Sequence, residues 1–243
     1  MKRTNPNFTV TRATRLAIAF NPSHQDHKAA MEEFFHSYRY PIYCYLCRSG
    51  YSHEDAEDHI QGFFSFFIEK KRFEMFDTLR GRFRTFLITC LKNFLSSFHE
   101  KDHAQMRDSR KRVSMDSLDM KERFEAEAAD ECTPEEAFEA TLAREFLRNA
   151  EVAYEDDLRH DGKLELYRAL RPMIFADPDA VSYTDLSARL EMPIGTLKSH
   201  VHRMKDEYRV LLRERMEALV ANPDDVRDEL LAFQNILSRR KSR

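Results

Sequence analysis

Apolar residues return at three- and four-residue steps in stretch after stretch of this chain, and very little interrupts them. That spacing lines one face of an α-helix. Only 5 glycines and 8 prolines occur in 243 residues. A sandwich or barrel needs turn residues at far shorter intervals, so antiparallel β-architectures are disfavoured. The charged fraction is 33%, above the ~25% of an average globular chain, which again points to helices with solvated faces. The expected fold class is all-α, built as two small helical domains joined by an acidic linker.

Several functional classes fall away. No apolar run approaches the ~18 residues of a membrane span. The opening MKRTNPNFTVTRATRLAIAF is basic, but its apolar stretch is too short and broken for a secretory signal. Four cysteines (Cys44, Cys47, Cys90, Cys132) do not make a disulfide framework in a chain this long. The expectation is a reduced, cytoplasmic protein without membrane insertion.

Residues 1–28 show no sustained periodicity and read as a loose lead-in. The first helical unit is expected over 29–112. Met31, Phe34, Phe35, Tyr38, Ile42, Tyr45 and Leu46 stripe its first helix, which ends near Gly50. Ser52 is placed to cap the next, with acids in its first turns, and Ala56, Ile60, Phe63, Phe64 and Phe67 on its apolar side. A third helix carries Phe83, Phe86, Leu87, Cys90, Leu91, Phe94, Leu95 and Phe98. Residues 113–132 are polar and read as a linker. Thr133-Pro134-Glu135-Glu136 is a capping box with proline at the first helical position, opening a second unit over 133–218. Its helices carry Phe138, Leu142, Phe146 and Ala150, then Leu164, Tyr167, Leu170 and Ile174. A short helix capped by Ser182 follows, then a break at Glu191-Met192-Pro193, then a long helix. The remainder, 219–243, is an amphipathic extension (Val226, Leu230, Phe233, Leu237) with a basic tail.

Charge is strongly segregated. From Arg80 to Arg112 nine Lys or Arg face three acids, a net of +6, whereas Ser114–Asp157 holds fifteen acids and four bases, a net of −11. Two cationic elements are candidates for nucleic acid. A short helix, a three-residue break and a longer helix form the helix-turn-helix pattern. The longer helix offers Thr196, Lys198, Ser199, His200, His202, Arg203, Lys205 and Arg209 away from its apolar stripe. Its N-terminal residues suit base edges in a major groove, and its later cations suit phosphates. The second element interleaves bases and aromatics, as single-strand binders do. Helical spacing assigns Phe83, Phe86 and Phe94 to a core, which leaves Arg82, Arg84, Lys92, Asn93, Lys101, Arg107, Lys111 and Arg112 as candidate contacts. The acidic stretch between the two could mimic nucleic acid and rest on those basic surfaces.

Two enzyme-like signals are weaker. His99-Glu100-Lys101-Asp102-His103 fits the letter of a zinc-protease motif. However, Lys101 and Asp102 are both charged, no third ligand follows, and the basic surroundings oppose a dication. Cys44-Tyr45-Leu46-Cys47 lacks the second pair that a zinc site requires and reads as two thiols on a helical apolar face. No catalytic residues, metal ligands or cofactors are expected.

Two runs resemble the extracytoplasmic-function (ECF) subfamily of bacterial RNA polymerase sigma factors. The first is Tyr40–Gly50, His53–Phe64 with its Asp55-Ala56-Glu57-Asp58 core and Gln61, then Gly81–Leu87 and Lys92–Leu95. The second is Tyr183–Leu190 followed by Pro193–Arg203. The resemblance implies sigma region two over 29–112 and region four over 133–218. Asp55, Asp58, His59, Gln61 and Phe64 would then dock on the clamp helices of core RNA polymerase, with the flap as a further contact. The Arg82–Arg112 unit would melt the minus-ten promoter element, and the helix from Ile194 would read the minus-thirty-five element. Promoter DNA and core polymerase are the implied partners, and an anti-sigma factor is a further one open to such proteins. Ser97-Phe98-His99-Glu100-Lys101 departs from the arginine-rich ending usual there, so no promoter sequence is implied. The alternatives are a helix-turn-helix repressor or activator that does not bind polymerase, a zinc hydrolase using His99 and His103, and a structural adaptor.

Overall fold

A computed structural model of the chain describes residues 14–76, 82–102, 115–127, 132–177, 181–220 and 225–241. All regular structure among these residues is helical. They divide into two compact units, Met1–Glu145 with Glu217–Arg243, and Phe146–Met216. No helix among the described residues is long and apolar enough to cross a membrane.

The first unit contains α1 (Thr14–Ala19), α2 (His27–Arg48), α3 (His53–Glu69), a 3-10 turn (Arg72–Met75), α4 (Phe83–Asp102), α5 (Met115–Glu127), the start of α6 (Pro134–His160), and α10 (Val226–Lys241). Aromatic rings fill its core. Phe34 of α2 meets Phe64 and Phe67 of α3 and Phe83 of α4 at centroid distances of 5.7–6.1 Å. Offset and edge-on pairs at such distances contribute beyond their burial. Gly62 permits the close approach of α3 to α4, because a Cβ there would stand 3.2 Å from the Phe94 ring. The cap expected at Ser52 forms, its hydroxyl accepting from the Asp55 N–H. The box at Thr133 forms in both directions, Thr133 N–H to Glu136 Oε2 (3.0 Å) and Glu136 N–H to Thr133 Oγ1 (3.2 Å). Cys44 is buried and Cys47 half-buried. Burial pushes their thiols up to about 11 and about 12, so neither supplies a thiolate at neutral pH.

Four parts of this unit differ from the sequence expectation; one is the start of α6, since the second unit was expected to begin at residue 133 and begins at Phe146. Within the supposed lead-in, α1 buries Leu16, Ile18 and Ala19, and Phe20 stacks on Phe73 at 4.5 Å. Six residues are too few to display a period, and tertiary burial rather than propensity makes this helix. The supposed linker contains α5, which buries Met120. There the Arg123 guanidinium lies 4.0 Å over the Tyr40 ring and pairs with Glu127 and buried Glu145. The extension after residue 218 supplies α10 to this same unit.

The second unit contains the rest of α6, α7 (Leu164–Ile174), α8 (Tyr183–Leu190) and most of α9 (Ile194–Leu219). Its core joins Ala150, Tyr154 and Leu158 of α6 to Tyr167, Leu170 and Ile174 of α7, Leu186 of α8, and Leu197, Val201, Met204 and Tyr208 of α9. α7 continues through Pro172 to Ile174. Arg171 pairs with Glu151 through Nε and, at 3.1 Å, Nη2, and the Tyr167 hydroxyl donates to the same carboxylate at 2.9 Å. The Arg171 hydrogen bond leads in holding the Glu151 carboxyl below its ordinary value of 4.5, against the opposing effect of burial. A depressed carboxyl contributes stability above its unfolded value and loses it as pH falls through its folded one. Glu151→Gln should therefore cost about 1 kcal/mol at pH 7, because the charge-assisted bonds are discounted for a half-exposed Arg171. The difference should shrink at acid pH, as the carboxyl takes up its proton. Hydrogen exchange of α7 amides at both pH values checks this; an equal loss at both would mean that shape, not charge, is what Glu151 contributes.

Candidate nucleic-acid interface

The α8–α9 element is built from local signals. The Ser182 hydroxyl accepts from the Asp185 N–H to start α8. Glu191 then takes a left-handed conformation, φ 51°. The turn is tied down by Ser187, whose hydroxyl donates to the Met192 carbonyl at 2.6 Å and whose carbonyl accepts from the Met192 N–H at 3.2 Å. Leu186 and Leu197 are both buried in the core of this unit, which turns the opposite side of α9 outward. Its first turns therefore face solvent: Thr196, Lys198 and Ser199 are exposed. The Lys198 ammonium rests 5.6 Å over the Tyr183 ring, and the Ser199 hydroxyl donates to the Gly195 carbonyl.

Further along α9 the cations are partly neutralised by the helix itself. Arg203 donates to His200 Nδ1 at 2.6 Å and lies 3.9 Å from Glu207. Asp206 sits between His202 (3.4 Å) and Arg209 (2.8 Å). Lys205 and Arg209 border an open hollow lined by Glu151, Arg171, Phe175 and Tyr208. The α9 candidates thus separate into an open N-terminal group and a self-paired C-terminal group, a division suited to base contacts first and phosphate contacts after.

On α3 the candidates also divide. Asp55 and Gln61 are exposed and Asp58 is half-buried, whereas His59 and Phe64 are buried. His59 stands edge-on to Tyr51 and Phe98, at 4.7 and 4.9 Å, and Phe64 packs on Phe34 and Phe35. The outward face of α3 is therefore acidic and amide-bearing, without the two rings.

The α4 candidates are met by carboxylates. Arg82 Nε lies 2.9 Å from Glu229 Oε2, and Arg84 Nη1 lies 3.0 Å from Glu229 Oε1. Arg84 Nε is 3.5 Å from Glu139, and Lys92 Nζ is 2.5 Å from Glu135. Arg84, 6% exposed, is a core residue. Asn93 is exposed and Lys101 falls in the last turn of α4. Arg107, Lys111, Arg112 and His103 lie outside the described residues. No group of three His, Cys, Asp or Glu side chains able to hold a metal occurs among the described residues. Glu135 and Glu139 belong to the acidic stretch that the charge pattern singled out. Glu229 was missed, although a carboxylate three residues from Val226 and four from Phe233 stands on an apolar face, which is the signature of a buried ion pair.

The chain matches no protein-family model, no curated protein and no solved structure.

Proposed function

We propose that this chain is an ECF-type sigma factor, which joins core RNA polymerase and directs it to a subset of promoters. The observation that carries the reading is the α8–α9 element, whose shared core holds the polar and basic first turns of α9 clear of the protein. A major groove admits one such helix. Support in the other unit comes from the acidic outer face of α3, suited to a basic polymerase surface. In this reading Asp55, Asp58 and Gln61 hold the polymerase. Thr196, Lys198, Ser199 and His202 face bases, while Arg203, Lys205 and Arg209 face phosphates. Arg82, Lys92 and Asn93 steer a melted strand, in which an unstacked base costs a few kcal/mol. The activity is cytoplasmic and needs no cofactor.

The covering of Arg84 and Lys92 by carboxylates favours a second reading, a helix-turn-helix regulator that binds DNA through α9 alone. Run-off transcription from a promoter library, with purified core polymerase with and without this chain, separates the two. The sigma reading expects transcripts only when the chain is present. It also expects Asp55→Ala with Asp58→Ala to weaken co-migration with polymerase about tenfold or more, the equivalent of ~1.4 kcal/mol. A regulator would leave transcription by core unchanged and keep its duplex affinity in that variant.

A further inference from the structure

Glu229 occupies the place on α4 that the proposed function gives to a nucleic-acid phosphate. Its two carboxylate oxygens meet two guanidinium groups, Oε2 at Arg82 and Oε1 at Arg84. Planar guanidinium donors recognise carboxylate and phosphate by the same geometry. The helix bearing it is anchored on one face by Val226 and Phe233, both buried, and Arg84 lies over the Phe233 ring at 5.4 Å. The fit is nevertheless poor. Arg84 Nε and Nη1 and Glu229 Oε2 are buried and reach no partner at hydrogen-bond geometry. Burial drives the Glu229 carboxyl upward, against the downward pull of Arg84 and Arg82. Tyr38 from α2 faces the same charges, as do Glu139 of α6 and Asp225 beside α10. Buried charges at ion-pair distance without aligned hydrogen bonds do not fully recover their desolvation cost.

We infer that α10 is a displaceable strap, an internal stand-in for single-stranded nucleic acid that pairs with Arg82 and buries Arg84 until a strand takes its place. This rests on the reading of α4 as a nucleic-acid surface. The occupant that replaces it is a polyanion able to offer paired oxygens to two arginines, and a melted DNA strand is the one the proposed function supplies. Release of α10 takes Glu229 and Phe233 away together, which exposes the Arg84 guanidinium and leaves Arg82 without its carboxylate, so the surface becomes more cationic, as a groove that tracks a single strand's backbone must be.

The test uses the full chain and a fluorescent single-stranded oligonucleotide, read by anisotropy at several salt concentrations. The double variant Glu229→Gln with Phe233→Ala should bind about tenfold more tightly than the unaltered chain. Its salt slope should be steeper by about one unit, since each phosphate newly contacted adds ~0.7 for a single strand. Adding Arg82→Gln to that variant should remove the gain. In the unaltered chain, saturating oligonucleotide should speed hydrogen exchange of the α10 amides, a readout that does not depend on the variant folding well. Equal affinity of both proteins, or α10 amides that stay protected when the strand is bound, would overturn the strap while leaving α4 as a nucleic-acid surface. No binding by either protein would overturn the α4 reading and the strap with it. Run-off transcription, which also depends on α3 and α9, reports on the sigma reading separately.

Discussion

Leu197→Ala is expected to unfold the smaller unit or bring it to the edge of unfolding. Leu197 is fully buried at the first turn of α9, in the core it shares with Leu186 of α8, Tyr154 of α6 and Tyr167 of α7. Truncating such a leucine costs about 2–5 kcal/mol, the transfer of its methyl groups plus the cavity left behind. A unit of about 70 residues is stable by only ~4–10 kcal/mol in total. The loss is therefore comparable with the whole, and the melting temperature should fall by about 10 °C or more. Duplex binding should fall with it, because Leu197 is the α9 residue nearest the turn that is buried in the shared core. Val210→Ala, on the exposed side of the same helix, should stay within about 0.5 kcal/mol of the unaltered chain. Hydrogen exchange of α8 and α9 amides in both variants is the measurement. A Leu197→Ala protein as protected as the original would mean that α9 does not lean on α8, and the helix-turn-helix argument would lose its physical basis.

What could be read before the structure was local or periodic. Ser52, Thr133 and Ser182 cap their helices with their own side chains, within three residues of the groups they satisfy. The stripes of α2, α3, α4, α7 and α9 repeat long enough to declare an apolar face. By contrast α1 is held by what Phe20 finds on Phe34 and Phe73, and α5 by Arg123 reaching Tyr40 and Glu145. Both depend on partners distant in the chain, and neither carries a stripe of its own. Polar composition made α5 look like a tether because ion pairs and a cation over a ring accompany only a few apolar contacts, those of Met120 and Phe124.

The candidate interfaces were legible to the same degree. On α9 the outward residues follow from the apolar stripe, and the structure separates only the open ones from those paired with Asp206 and Glu207. On α3 the apolar stripe already included Phe64, and the structure keeps it inside with His59, leaving Asp55, Asp58 and Gln61 to face outward. On α4 the sequence placed a run of cations but could not say which would be covered. Arg84 follows Phe83 by one position and lies at the margin of the buried face, where a charge is kept only if a partner arrives. That partner, Glu229, comes from the far end of the chain.

The Arg84–Glu229 pair allows a sharp stability experiment. Arg84→Ala leaves the Glu229 carboxylate buried, 7% exposed, with Arg82 as its remaining cation. Removing one partner of a buried pair costs about 3–5 kcal/mol, since the orphaned charge stays desolvated. Part of that figure is the lost contact of the Arg84 guanidinium with the Phe233 ring. Arg84→Met with Glu229→Leu should behave differently. Neither charge is then desolvated, the site is filled with apolar volume, and stability should equal or exceed that of the original by up to about 4 kcal/mol. Arg84→Met alone, Glu229→Leu alone and the double change, measured by urea unfolding with the exchange of α4 and α10 amides as probes, form a cycle whose coupling energy isolates the pair. A double variant at least as stable as the original, yet unable to bind the oligonucleotide, would show that the charges are retained for a ligand and not for the fold. A double variant as unstable as Arg84→Ala would mean that the pair stabilises the unit in its own right, and α10 would then be too firmly held to be displaced by a strand.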